Sequence, residues 1–423
     1  MLRAKAPELA VKFLAEYDAE AKDAIWRKHQ QTFRDFWNNR IRSGHETPLS
    51  DAECDKIIQI LDRHGRGNTK SSEAVAKVML AQGKWRKLLA RLRQPDLGDL
   101  LDAVFRSEDS AERARLIDEL YAKNTEKNYL TGPSANALNA FIAAYDPFAN
   151  LTMVSIRDRE RLVKAFGCEL PAGASIGQRI TRAAEIIREE LAALGMEGSG
   201  RTISNFSYWT PFRILWKNED TAKKQGETVQ VSVPANPADE DHEASDEAEI
   251  RESMQVQAIL ADLGLRMGFK IWIPKPDRGR VLKAWTPSAD GLLEELPFNY
   301  EATTLKTIEA IDVIWVRNRS IVRAFEVEHT TSVYSGILRM ADLLALQPNM
   351  SIKLHLVAPE TKREKVFREI RRPVFSLFEG RPLAEVCTFI SYDSIKEIKA
   401  LPHGKHMTDS VIEDFEEWAE DAE

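Results

Sequence analysis

Residues 310–339 read AIDVIWVRNRSIVRAFEVEHTTSVYSGILR, and no other stretch limits the fold as much. Two β-branched apolar runs, 311–316 and 321–327, flank the polar tetrad Arg317-Asn318-Arg319-Ser320, a pattern that predicts an antiparallel hairpin. Side chains alternate between the faces of a strand, so Glu326 and Glu328 share one face while Phe325 and Val327 take the other. A turn centred between Asn318 and Arg319 sets Asp312 opposite Phe325. A turn centred on Arg319 sets it opposite Glu326, and three carboxylates then converge on an apolar strand pair.

Such convergence is costly. Two carboxylates ~5 Å apart repel by about 3 kcal/mol at an effective dielectric near 20, and like charges directly opposed weaken a strand pair. A hard divalent cation, Mg²⁺ with Mn²⁺ as a substitute, relieves the repulsion through its preference for carboxylate and water oxygens. The plainer reading is an edge hairpin whose acids face water.

A chain of 423 residues is too long for one ordinary domain and predicts two or three. Its 43% hydrophobic and 30% charged residues describe a globular protein. No apolar run reaches the length of a membrane span, and the N-terminus MLRAKAPELAVKF has no signal-peptide core. Cys54, Cys168 and Cys387 are far apart, which predicts neither disulfides nor a cysteine zinc site and fits the cytoplasm. The eight histidines form no catalytic cluster; His403 and His406 are metal ligands or solvated residues of a tail. A net charge of −7 argues against wholesale coating of nucleic acid, but base concentrates at 84–93 and 362–372 and can form a local phosphate-holding face.

Helical periodicity covers 6–25, 51–64 (with Ser50 as N-cap), 71–81 and 96–121, a helical domain over residues 1–123. KWRKLLARLR at 84–93 is amphipathic, with Trp85, Leu88, Leu89 and Leu92 inward and the bases either solvated or on phosphate. A second helical region, 124–218, either separate from or continuous with the first, opens with a helix capped by Ser134 and ending before Asp146-Pro147, then helices at 156–166 and 176–194. Its aromatics Phe206, Tyr208, Trp209, Phe212 and Trp216 stack on bases or pack among helices. Residues 219–246 are polar, proline-interrupted and acidic, and read as a linker with a short strand at 229–233. Beyond it, 247–401 alternates helix and strand: a helix at 247–265, a strand at 269–273, a loop at 274–291 and the hairpin. A helix at 333–346, a strand at 352–358, a basic helix at 361–372, a strand at 386–391 and a helix at 393–401 complete it. That order predicts an α/β domain with a mixed central sheet flanked by helices, followed by an acidic tail at 402–423.

The C-terminal half resembles the PD-(D/E)xK, or restriction-endonuclease-like, nuclease superfamily. The resemblance rests on an acidic helix (Glu249, Glu252, Gln255, Gln257), Asp312 in AIDVIW, Glu326-Val327-Glu328 in AFEVEHTT and the helix that follows. It implies that Asp312 and Glu326 bind Mg²⁺ and that Glu252, or Glu249, completes the site. Where that superfamily usually has Lys, this chain has Glu328, which would serve as a ligand or as general base for water. Arg339 would supply the missing positive charge at the phosphate, or lie in a surface salt bridge. His329 follows on the opposite face, and Thr330 and Thr331 touch phosphate or cap the next helix.

These readings imply a metal-dependent DNA endonuclease of restriction or anti-phage type. The alternatives are a nuclease fold without catalysis, or a nuclease for RNA or branched DNA. Arg368 and Arg371 on the basic helix are candidate substrate contacts. A homodimer or an ATPase partner subunit is a further expectation, since no Walker-type GxxxxGK[ST] motif occurs in the chain.

Overall fold

A computed structural model describes residues 2–419 apart from 43–46, 70, 79, 127, 218–219, 225–226, 232–246, 289, 301, 329–333, 347–351, 378–380 and 402–406. At 220–250 and 302–303 it describes backbone alone. The chain forms two compact units, one within residues 1–218 and one spanning 219–420.

The first unit is helical. Helices α1 (Leu2–Glu16) and α2 (Ala19–Phe36) replace the single helix expected at 6–25, because Asp18 accepts from the N–H of Ala21 at 3.0 Å and starts a new helix. A π-helical turn, Trp37–Arg42, extends α2. Ser50 and Glu53 form a reciprocal capping box at α3 (Asp51–Leu61). Residues 71–81, expected as helix, are instead drawn out along the end of α3. Ala76 bridges to Asp62, and the buried Asp62 carboxylate accepts from Val78 N–H and Trp85 Nε1. Helix α4 (Gln82–Leu92) buries Trp85, Leu88, Leu89 and Leu92 as expected. Its basic side is matched by acids: Arg86 by Asp55, and Arg91 by Asp96 and Glu126.

The run at 96–121 splits into α5 (Pro95–Arg106) and α6 (Ser110–Lys123), because Asp109 caps the second. Helix α7 (Asn136–Tyr145) starts after Ala135 at φ 56°, one residue later than a Ser134 cap requires. Helices α8 (Ile156–Ala165), α9 (Ile176–Ala193), α10 (Gly200–Tyr208) and α11 (Thr210–Arg213) complete the unit. Phe206, Phe212 and Trp216 lie in its core, with Tyr208 and Trp209 half-buried beside them. No helix among the described residues is long and apolar enough to cross a membrane.

The second unit opens with a hairpin, β1 (Asp220–Lys224) and β2 (Glu227–Val231), inside the stretch expected as linker. Helix α12 (Glu247–Arg266) follows. Its Gly264 sits against the Trp315 indole, where a Cβ would lie 2.4 Å from Nε1. Strand β3 (Lys270–Trp272) leads to α13 (Lys275–Val281), within the stretch expected as loop; Pro276 lies in its first turn, where a missing N–H costs no hydrogen bond. Next come α14 (Ala302–Glu309) and the expected hairpin, β4 (Val313–Arg317) and β5 (Ser320–Val327). Helix α15 (Tyr334–Leu346), β6 (Lys353–Ala358), a 3₁₀ turn at Glu360–Lys362, α16 (Arg363–Ile370) and α17 (Pro373–Ser376) follow. Strand β7 (Cys387–Ser391), α18 (Tyr392–Ala400) and β8 (Glu417–Trp418) complete the unit.

Strands β3 to β8 form one mixed sheet in sequence order, with β5, β6 and β7 parallel and the other pairs antiparallel. Val313, Trp315, Phe325 and Val327 bury one face with residues of α12 and α18, while α15 and α16 pack on the other side. The layered α/β architecture is the expected one. The acidic tail expected at 402–423 is not a plain tail, since residues 409–419 bind the sheet edge. Buried Arg323 meets Asp409 at 3.1 Å and Glu413 at 3.3 Å, and buried Glu417 meets Arg363 at 2.6 Å. Arg323 of β5 and Arg363 of α16 hold this acidic segment down. His403 and His406 lie outside the described residues.

Candidate active site

The hairpin register decides what the carboxylates can do. At the turn, Arg317 pairs with Ser320 and Val316 with Ile321, while Asn318 takes φ 56°. Trp315 then pairs with Arg323 rather than Val322, so Val322 is a β-bulge. Past the bulge Val313 faces Phe325, and the same register carried one residue further sets Asp312 beside Glu326. The turn of the first expectation and the pairing of the second therefore coexist. The Asp312 carboxylate confirms its place by accepting from Val327 N–H at 2.7 Å.

Glu326 is fully buried, and Arg339 from α15 grips both its oxygens, Nε to Oε1 at 2.8 Å and a terminal nitrogen to Oε2 at 2.6 Å. Arg339 itself remains 31% exposed, so one edge of the pair faces solvent. Glu328 is also buried, and its Oε1 accepts from Gly336 N–H at 2.9 Å. Only glycine allows that approach, because a Cβ on Gly336 would sit 2.1 Å from the same oxygen. The Tyr392 hydroxyl donates to the Glu328 carbonyl at 2.9 Å and fixes the end of β5.

Burial raises the proton affinity of all three acids, and the charge of Asp312 adds to the rise at Glu326 and Glu328. Burial pushes Asp312 up to about 6, with Asp277 of α13 adding to the rise and the Val327 N–H and Arg339 opposing it. Burial, then Asp312, push Glu328 up to about 7 against Arg339, Gly336 N–H and Lys362. Glu326 is raised well above the ordinary carboxylate range, by burial first and Asp312 second, despite Arg339. Arg339 is driven further up by its hydrogen bonds to Glu326.

The remaining sequence-derived residues are placed less centrally. Glu252 extends from α12 to Lys396 of α18 at 2.6 Å, on a partly exposed pair. The side chain of Glu249 and residues His329, Thr330 and Thr331 lie outside the described residues. Arg368 is exposed, 3.8 Å from Glu369, and Arg371 donates to the Phe367 carbonyl at 3.2 Å. Two charged groups were missed by sequence reasoning. Asp277 sits in a short helix that reads as loop, and Lys362 is hidden in a run of bases whose other members point elsewhere.

Chemically, the patch offers hard oxygen donors whose summed negative charge exceeds that of Arg339. That donor set fits Mg²⁺ or Mn²⁺, which keep several waters and need few protein oxygens. Among the described residues no group of three or more His, Cys, Asp or Glu side chains stands ready to enclose a metal ion.

Residues 232–422 match the family model described as the Type II restriction enzyme NmeDI C-terminal domain. The C-terminal half is thus similar to the C-terminal domain of a Type II restriction enzyme. In whole-sequence comparison the chain is similar to the Type II restriction enzyme NmeDI of Neisseria meningitidis serogroup C, 29% identical over 170 residues. The alignment takes in 38% of this chain and 46% of that protein, so the chain spans about half the length of the curated relative it matches. No solved structure matches.

Proposed function

We propose that the C-terminal unit is a metal-dependent nuclease of the PD-(D/E)xK type and that the chain is a DNA endonuclease of the restriction kind. The observation that carries this reading is the convergence of Asp312, Glu326 and Glu328 on one buried patch of a mixed sheet, within a region similar to a restriction enzyme. Asp312 and Glu326 would hold Mg²⁺. The ion would polarise the phosphoryl oxygen and acidify a bound water. Glu328, held by Gly336 and poised between protonation states, accepts the proton of the attacking water. Arg339, bound to Glu326 yet open to solvent on one edge, stabilises charge on the phosphate, with Lys362 beside Glu328 supplying the positive charge that the usual Lys would bring.

Incubation of the purified chain with plasmid DNA tests the reading. Cleavage is expected with Mg²⁺ or Mn²⁺, none with EDTA, and none by Asp312→Asn. Plasmid left intact under every condition supports a second reading, DNA binding without catalysis, which draws on the occupation of Glu326 by Arg339.

A further inference from the structure

The helical unit holds a cavity of about 480 Å³ between the end of α1, the residues after α3 and the C-terminal part of α10. That volume is within the range of about 300–1,000 Å³ typical of small-molecule sites. One wall is aromatic. Phe13 stacks on Tyr17 with ring centroids 4.7 Å apart, Phe206 meets it edge-on at 5.4 Å, and Trp209 lies at 5.6 Å, half-buried at the rim.

The opposite wall is cationic. The guanidinium of Arg201 lies flat on Trp26, 4.2 Å from the ring centroid, and is 4% exposed. One of its terminal nitrogens binds Glu73, a carboxylate also engaged by Lys22 and by Trp26 Nε1. Arg63 is close enough to depress the proton affinity of Arg201, behind the larger effect of burial, and forms no ion pair among the described residues. With Arg213, three arginines line the space.

Three residues that line this space also carry buried polar atoms with unmet capacity. The Nε–H of Arg63, the Nε–H of Arg201 and the hydroxyl of Tyr17 are buried and lack a hydrogen-bond partner. Buried donors left unpaired are costly, so a native structure normally satisfies them. Two can only donate and the third is able to. The ligand they fit therefore presents acceptor oxygens and negative charge, and the adjacent aromatic wall calls for a flat ring beside that charge.

We propose that this cavity binds a nucleotide, with the base against Trp209 and Phe13 and the phosphate on Arg63, Arg201 and Tyr17. Phosphate oxygens accept from guanidinium N–H groups with charge assistance, and aromatic faces stack any base. The same chemistry comes from a free nucleotide or from one nucleotide of a strand. The site lies in the other unit from the carboxylate patch and does not depend on the nuclease reading.

Calorimetric titration of the full chain with deoxynucleoside monophosphates, the matching nucleosides and inorganic phosphate tests the proposal without reference to cleavage. Nucleotides are expected to bind, with nucleoside and phosphate each at least about tenfold weaker. Arg63→Ala and Trp209→Ala should each weaken nucleotide binding about tenfold, and Trp209→Phe should stay near wild type. Arg63→Gln substitutes for Arg63→Ala if the latter melts early. A short single-stranded oligonucleotide that displaces the mononucleotide identifies a strand-borne source, and failure to displace it identifies a free one. No nucleotide binding, binding indifferent to both Arg63 and Trp209, or phosphate bound as tightly as nucleotide would overturn the proposal.

Discussion

At the scale of residues, the acids of the hairpin differ in what their loss exposes. Asp312→Asn keeps an oxygen for the Val327 N–H and removes a charge that raises its neighbours, so the metal-free protein should melt at or above the wild-type temperature. Glu326→Gln instead strips Arg339 of its counter-charge. Removing one member of a buried pair costs about 3–5 kcal/mol, and the partial exposure of Arg339 should reduce this to ~1–2 kcal/mol. Both variants should lose cleavage, and neither should gain thermal stability from Mg²⁺, whereas wild type should gain it by linkage. Thermal melts with and without the ion separate these effects. A lower melting temperature for Asp312→Asn than for Glu326→Gln would contradict this account of the pair.

At the scale of elements, helices α12 and α13 compete to supply a further acid. Glu252 of α12 is committed to Lys396, while Asp277 of α13 bears on Asp312. Glu252→Ala should therefore retain cleavage within about threefold, and Asp277→Asn should lower it by about tenfold or more, a loss of roughly 1.4 kcal/mol in transition-state stabilisation. Rates on plasmid at saturating Mg²⁺ decide between them. Helix α16 buries Val366, Phe367 and Ile370 as its pattern predicts, and Arg363 turns inward to Glu417. Of its bases Arg368 is the most exposed candidate for DNA. Loss of one phosphate contact flattens the dependence of log K on log salt by about 0.9, so Arg368→Ala with Arg371→Ala should lower the slope and leave the cut position unchanged. An unchanged slope moves the DNA surface away from α16.

What the sequence makes legible follows from periodicity. The hairpin strands, α12, α15 and β6 are long enough for a repeat of two or of 3.6 to show. Helix α13 is short and proline-led, and β8 consists of Glu417 and Trp418 alone, too few residues for any period. Asp277 in α13 and Lys362 in a three-residue 3₁₀ turn bear on the acids through their charge, an influence that depends on tertiary packing rather than local spacing. The bulge is invisible for another reason: Val322 is chemically the same as its strand neighbours.

For the whole molecule, the buried acids tie stability to pH. Asp312 at about 6 and Glu328 at about 7 bind protons more tightly folded than unfolded, where ordinary values of 3.8 and 4.5 apply. The folded state therefore holds protons that the unfolded chain has released between those limits, and stability contributed by this patch falls as pH rises through 6 to 7. The metal-free protein should lose on the order of 2–3 kcal/mol from Glu328 between pH ~5 and pH ~8. Mg²⁺ competes with the same protons, so its stabilising effect should grow over the same interval. Denaturant melts at several pH values, with and without Mg²⁺, measure both slopes. A flat metal-free profile in wild type, or an identical slope in Glu328→Gln, would falsify the assignment.

The bulge at Val322 imposes a rule of parity on the gene. A two-residue turn joins odd-numbered positions to even-numbered ones, as Arg317 to Ser320 and Val316 to Ile321. Asp312 and Glu326 are both even, so such a turn alone can never bring them face to face. One supernumerary residue somewhere between them is obligatory, and Val322 supplies it. Deleting Val322 leaves twelve residues between the two acids, a number that a two-residue turn pairs without a bulge, so Asp312 should stay opposite Glu326 and cleavage should persist.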